Sequence, residues 1–312
     1  MIQATPFLSR PGGPRPVVSI GLPVFNGGDF LEQALVSILD QEFGDFELLI
    51  SDNASTDGTA EICTRYAALD ARISYSRQPE NLGAAKNYND VFHAASAKYF
   101  KWAAHDDLLK PQFLTRCIDK FESFDAPPVI VYPQSEFIDE TGQVLRADRR
   151  SMHTNSTSPA IRVFRAVQAM GLVTSVFGVF HRESLARTQL IGSFIASDYV
   201  LLLECVLLGP IVHLEGEPLF QRRIHGNMSR QANKSEEEVL RWFNPDARAK
   251  LSSKQRLRIE FRNSIYGIDG LTGLQRRLCA ASLLSGFAVR RSRIAAGRLR
   301  RQFFNGQKRE AN

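Results

Sequence analysis

A chain of 312 residues, 44% hydrophobic and 23% charged, holds enough apolar material for one large core or two smaller ones. With 14 prolines and 21 glycines it is not collagen-like, mostly disordered or a coiled coil, and no apolar run approaches the roughly 18–20 residues of a membrane span. The net charge of +6 is unevenly spread: residues 251–312 carry 14 Lys and Arg against 3 Asp and Glu, a net of +11, and the rest of the chain carries 25 against 30, a net of −5. A mildly acidic body with a basic end is not a uniformly basic nucleic-acid binder. The four cysteines (Cys63, Cys117, Cys205, Cys279) stand far apart with no C-x-x-C pair, which argues against a zinc or disulfide framework and fits a reducing compartment. Residues 1–15 are rich in Pro and Gly and lack the apolar stretch of a secretion signal, so a flexible N-terminus and a cytoplasmic location are expected.

The first element in chain order is the β-branched run Val17–Leu22, which reads as a buried strand ending at Pro23. A helix follows from about Asp29, its candidate N-cap, to Leu39, with Leu31, Ala34, Leu35 and Ile38 on one face. Strands are expected at Phe46–Ser51, Ile73–Ser76, Tyr99–Ala103 and Val129–Tyr132, with helices at about Thr59–Leu69, Ala84–Ala95 and Pro111–Ser123 between them. Strands alternating with helices predict a three-layer, mostly parallel α/β sheet, whose ligands bind beyond the carboxyl ends of the strands. Further along, Phe137–Leu145 reads as a small hairpin and Arg146–Pro159 as a polar, mobile loop. Ile161–Met170 and Ser197–Leu208 read as helices, Val173–His181, Ile211–Leu214 and Leu219–Arg223 as strands, and the chain from Ser235 onward as helical with a break at Asn244-Pro245.

Polar residues gather in the loops after the first four strands. After the second, Asp52-Asn53-Ala54-Ser55-Thr56-Asp57-Gly58 sets Asp52 where a carboxylate can accept from a nucleobase imide or amine; turn chemistry accounts equally for these residue types. After the fourth, His105-Asp106-Asp107 places two adjacent carboxylates whose repulsion a divalent cation on phosphate oxygens would offset; capping of the next helix is the alternative. Neither G-x-G-x-x-G after the first strand nor G-x-x-x-x-G-K-[ST] is present.

The chain reads V-S-I-G-L-P-V-F-N, then L-L-I-S-D-N-A-S-T-D-G-T, N-L-G-A-A-K-N and K-W-A-A-H-D-D-L-L-K-P. In this order the four segments resemble the family 2 glycosyltransferases, over roughly Pro16–Leu219, which implies the A-type nucleotide-diphospho-sugar fold. The resemblance assigns Pro23, Phe25 and Asn26 to the loop against the nucleoside, Asp52 to the base and Asp57 to the same turn. It assigns Asn81, Gly83 and Lys86 to the nucleotide pocket, Asp106 to ribose and metal, and Asp107 to the metal–diphosphate, with Mg²⁺ or Mn²⁺ as cofactor. The chain departs from the family's D-x-D-type motif in having Ala104 where the first Asp usually stands. An inverting transfer needs a carboxylate to take the acceptor's proton, and Asp198 in Ile195-Ala196-Ser197-Asp198-Tyr199 matches that position, with Ser197 replacing the commoner Glu. The alternatives are that Asp198 caps its helix, or that Glu204 is the base. Gly178–Arg182 resembles a strand whose arginine, Arg182, orders the active-site loop; Arg222-Arg223-Ile224-His225 resembles the R-x-H segment, which offers Arg223 to the acceptor side and His225 to the metal.

The implied organisation is a nucleotide-sugar half (16–132), an acceptor half (133–234) and a helical basic region (235–312). The implied activity is transfer of a hexosyl or N-acetylhexosaminyl group to a saccharide or lipid-linked acceptor in surface polysaccharide or glycolipid assembly. A nucleotidyltransferase and a non-catalytic nucleotide-sugar-binding scaffold of the same fold are the rivals. In the basic region arginines flank apolar runs, a pattern that suits a peripheral helix on an anionic membrane, a subunit interface or a solvated face, and not nucleic acid.

Overall fold

The structure, a computed structural model, describes residues 7, 15–171, 174–226, 235–248 and 251–310, with side chains of the last helix as far as residue 296. The expected flexible N-terminus therefore lies outside the described residues apart from Phe7 and Arg15, as do Val173 and Asn227.

Strands β1 (Val18–Val24), β2 (Phe46–Asp52), β3 (Ile73–Arg77) and β4 (Tyr99–Trp102) alternate with helices α1 (Leu31–Leu39), α2 (Thr59–Leu69) and α3 (Ala84–Ala94). The short β5 (Leu108–Leu109) and α4 (Phe113–Glu122) precede β6 (Ile130–Pro133), β7 (Ser135–Ile138) and β8 (Val144–Ala147). Next come α5 (Pro159–Ala169), a 3₁₀ turn at Thr174–Phe177, β9 (Val179–His181), α6 (Arg182–Leu185), α7 (Ser197–Leu208), β10 (Ile211–Leu214) and β11 (Phe220–Arg223). The chain ends in α8 (Glu236–Phe243), α9 (Ser253–Gly267) and α10 (Gly273–Glu310).

The main sheet has the order β10-β6-β9-β4-β1-β2-β3. All its strands run parallel except β9, which is antiparallel to β4 and β6. Side chains alternate between two cores. On β2, Leu48 and Ile50 join α1, α2 and α4 on one face, while Leu49 joins α3, α5, α7 and the C-terminal helices on the other. The expected three layers are thus present. Gly21 in β1 allows close approach of α3, since a Cβ there would sit 2.6 Å from Val91 Cγ2. A second, four-stranded sheet, β5-β11-β7-β8, meets the start of α4 through Phe220 and Phe113 and contains the expected hairpin at β7 and β8.

Three local expectations are corrected. α1 begins at Leu31 after Phe30, so Asp29 is not its cap. The segment after β8 is pinned rather than mobile: Met152 and Thr154 are buried, Thr154 N–H donates to Ile211 O and Ile211 N–H to Thr154 Oγ1, each at 2.9 Å. The strand expected at Val173–His181 is a 3₁₀ turn followed by the reversed β9, because Gly178 packs directly against Tyr132 and Ile130. The apolar helix Ser197–Leu208 has the expected bounds and is buried on every side from Val200 to Leu207.

Candidate active site

The loops at the carboxyl edge of β1 to β4 form one continuous layer, held by side chains that satisfy backbone donors. Asn26 takes up the left-handed conformation (φ 51°). Its N–H donates to Ser55 Oγ (2.9 Å), and its Oδ1 accepts from Thr56 N–H (2.9 Å). Gly27 N–H donates to Thr59 Oγ1 and Gly28 N–H to Asp57 Oδ2. Asp57 is exposed and acts as a staple between the two loops. Burial pushes its carboxyl up, but hydrogen bonds from Thr59 and from the Gly28 and Thr59 N–H groups outweigh this and hold it below the usual range.

Asp52 is wholly buried. Its Oδ1 accepts from Ser55 N–H (2.8 Å), its Oδ2 accepts from the Tyr75 hydroxyl (2.9 Å), and Arg77 approaches Oδ2 at 3.6 Å. Its carboxylate thus orders the turn, with Tyr75 and Arg77 between it and the outer face of β3. Asn53 was not singled out in the sequence although it lies in the same turn. Its Nδ2 donates to Asn81 Oδ1 (2.8 Å) and its Oδ1 accepts from Leu82 N–H (2.9 Å), which joins the β2 turn to the loop after β3. Asn81 Oδ1 also accepts from Gly83 N–H. Gly83 sits at φ +82°, and a Cβ there would lie 2.4 Å from Phe243 O at the end of α8. Pro23 is buried at the end of β1, while Phe25 stays exposed. Lys86 is exposed and paired with Asp90 one turn on (2.7 Å). Asn87, the last residue of the same segment, is buried, and its Nδ2 ties Val24 O to Ser51 O; its Oδ1 has no partner.

The charged centre lies beside this layer, where β4 and β11 end. His225 Nε2 lies 2.9 Å from Asp106 Oδ2, and Asp107 Oδ1 accepts from Arg223 N–H at 3.0 Å. Burial and the neighbouring Asp106 charge push the Asp107 carboxyl up to about 7. Burial also raises Asp106, but the hydrogen bond from His225 and the charges of His105 and His225 hold it below the usual range. The bond to Asp106 in turn raises His225, against the effect of burial. Arg223 is fully buried. It donates to Asp106 O, Asp139 O, Glu140 O and Gln33 Oε1 at 2.8–3.0 Å, and its guanidinium stacks 4.7 Å from the Phe30 ring. His225 meets the same ring edge-on at 4.7 Å, with its Nδ1 buried and without a partner. Arg223 therefore locks α1, β11 and the β7–β8 turn around the aspartate pair, and Phe30 and Gln33 serve it without any sequence signal. Lys101 on β4 is equally hidden: its ammonium donates to Trp102 O and Phe177 O, and burial lowers it to about 7.

Among the described residues no group of three or more His, Cys, Asp and Glu is arranged as a metal cage. The donors at Asp106–Asp107 still suit a hard divalent ion shared with phosphate oxygens. Two adjacent carboxylates are held at the edge of the site, one raised by burial and by its neighbour's charge, and each uses one oxygen in its bond to the protein.

Asp198 occupies the second position of α7 and is half-buried, after Ala196 in the left-handed conformation (φ 63°). It is not the residue that caps the helix. α7 runs back to the start of β10, so its N-terminus opens at the same sheet edge as the loops after β1 to β4. Glu204 lies away from that edge, buried between Gln189 N–H and the Ser264 hydroxyl of α9. Arg182 is the one assigned residue that the fold carries elsewhere. Because β9 runs against β4, Arg182 emerges at the opposite edge and donates to Ala97 O (2.8 Å), so it orders the start of β4 and not the active-site loop.

This sheet, with its carboxyl-edge loops and a second small sheet beside an aspartate pair, is the A-type glycosyltransferase fold. S. aureus TarS 1–349, solved in complex with UDP-GlcNAc, superposes with a TM-score of 0.63 at 15% identity over 88% of this chain and 74% of that one. The Glycosyl transferase family 2 model matches residues 19–187, more than half of the chain, and the chain belongs to that family. An uncharacterized glycosyltransferase of Rickettsia prowazekii is 27% identical over 219 residues, 67% of this chain and 64% of the relative. Chondroitin synthase of Escherichia coli is 25% identical over 213 residues, 68% of this chain and 29% of the relative. The chain thus spans less than two thirds of the length of either relative. No helix among the described residues is long and apolar enough to cross a membrane.

Proposed function

We propose that this chain is an inverting glycosyltransferase that moves a hexosyl or N-acetylhexosaminyl group from a nucleotide-diphospho-sugar to an acceptor hydroxyl. The observation that carries this is the Asp106–Asp107–His225 cluster, clamped by Arg223 at the carboxyl edge of the sheet beside the nucleotide-side loops. Likeness to TarS with UDP-GlcNAc supports the donor class, and likeness to chondroitin synthase supports a place in polysaccharide or glycolipid assembly.

Phe25 and Asn26 border the nucleoside, with Asn81 and Gly83 closing its far side. Asp52 and Asp57 hold the two loops in register, and Lys86 lies at the rim. Asp106 and Asp107, with His225, would hold Mg²⁺ or Mn²⁺, which supplies Lewis-acid stabilisation of the leaving diphosphate. Asp198 takes the acceptor's hydroxyl proton as that oxygen bonds to the anomeric carbon and the bond to the diphosphate breaks. Residues 16–132 would bind the donor and 133–234 the acceptor. The basic C-terminal helices would meet an anionic membrane surface on the cytoplasmic side.

A panel of nucleotide sugars scored by thermal shift with Mg²⁺ or Mn²⁺ tests the donor assignment, because a ligand of the native state raises the midpoint. A shift with one nucleotide-diphospho-sugar that needs the metal is expected. No shift with any member of the panel would overturn the assignment.

A further inference from the structure

Eight of the fifteen exposed large apolar side chains among the described residues lie between Leu251 and Ile294, in less than a fifth of the chain. That density is opposite to what a solvated basic face needs. Part of it lines a groove of about 800 Å³ between α9 and α10, floored by Leu257, Phe261, Leu283 and Phe287.

The rim is cationic and ordered. Lys254, Arg258 and Arg262 follow one another at four-residue spacing along α9, and Arg291 faces them from α10. Like charges at this spacing repel on a helix surface. Among the described residues none of the four has a carboxylate within ion-pair distance; Glu260 beside them is taken by Arg256 at 2.7 Å. Leu284 stands 72% exposed at the mouth. An apolar trough with three cations on one wall and one on the other is complementary to an amphiphile that has hydrocarbon on one end and negative charge on the other.

We infer that the α9–α10 groove seats one acyl chain of an anionic phospholipid, with the headgroup phosphate among Lys254, Arg258, Arg262 and Arg291. The inference rests on the membrane-facing part of the proposed function and adds a defined lipid site to it. The other face of α9 touches α7 through the Ser264 hydroxyl, which donates to Glu204 Oε1 at 2.7 Å. A seated lipid would therefore bear on the helix that carries Asp198 in its first turn.

Co-sedimentation of the full chain with vesicles of phosphatidylglycerol in phosphatidylcholine, and with phosphatidylcholine alone, provides the test. Wild type should bind only the anionic vesicles, less so as salt rises. The double variant Arg258→Glu, Arg262→Glu and the single variant Leu284→Glu should each bind at least about tenfold more weakly, through lost headgroup contact and through a charge placed in the acyl path. All changed side chains are exposed, and an unaltered thermal midpoint with donor shows that the fold and the donor site persist. Leu284→Glu binding as wild type while the arginine variant fails would overturn the groove and leave a plain surface contact. Wild type that ignores anionic vesicles at low salt overturns the surface contact too. If it then elutes as a dimer that Leu284→Glu dissociates, the groove is a subunit interface instead.

Discussion

The body of the molecule and its C-terminal helices treat charge in opposite ways. In the body, charged groups are drawn inward and satisfied: Arg223 is buried with four hydrogen-bond acceptors, and Asp52 is buried with both oxygens engaged. In α9 and α10, cations stand in rows at the surface beside exposed leucines. Burying charge costs free energy unless every partner is in place, so the buried polar groups of the body act to fix loop geometry at the sheet edge. The helical end leaves its groups open, as a surface that meets something larger does.

The largest effect expected from this contrast is at Arg223. Arg223→Ala strands Asp106 O, Asp139 O, Glu140 O and Gln33 Oε1 in a buried site, which should cost about 3 kcal/mol or more of stability. Urea unfolding measures this. Replacement of any one rim arginine of α9 should change the same midpoint by less than about 0.5 kcal/mol. Equal losses at both places would erase the distinction between the regions.

Next is Asp198, in the first turn of α7 at the carboxyl edge of the sheet. Asp198→Asn should leave donor binding intact and lower turnover by about 10²-fold or more. A near-normal transfer rate would move the role of base to another carboxylate.

A further effect concerns pH. Burial lowers Lys101 from 10.5 to about 7. The unfolded chain therefore binds more protons than the folded one between these values, and stability rises with pH across that window. The contribution is complete above the unfolded pKa and is lost as pH falls through about 7. In Lys101→Met the rise between pH 7 and 9.5 should flatten relative to wild type, read as urea midpoints. Parallel profiles would show that the ammonium is not held as the burial of Lys101 implies.

Much of this architecture is legible in the residue order. The β-branched run at β1, the apolar run at β2 and the apolar stretch of α7 fix their own elements, because sequence pattern and burial agree there. The capping boxes Ser235 with Glu238 and Ser252 with Gln255 also carry a readable signal for α8 and α9. β9 is not legible: three residues give no periodicity, and nothing in them marks a strand antiparallel to β4 and β6. That reversal is what carries Arg182 to the wrong edge. The aspartate pair stands out as two like charges after an aromatic strand, whereas the R-x-H segment points to Arg223 without showing that it is buried, which depends on Phe30, Gln33 and the β7–β8 turn closing over it. Asp52 reads as a nucleobase contact or as turn chemistry, and its engagement by Tyr75 and Arg77 on the neighbouring strand has no sequence signal.

The most direct measurement is release of nucleoside diphosphate from a matching nucleotide-sugar by wild type and Asp107→Asn, with Mg²⁺ or Mn²⁺ and with chelator. Metal-dependent release by wild type, and its loss in Asp107→Asn with an unchanged thermal midpoint, is the expected result. Equal release by both proteins, or release by wild type that chelator leaves untouched, would contradict the assignment of Asp106–Asp107 as the diphosphate and metal site.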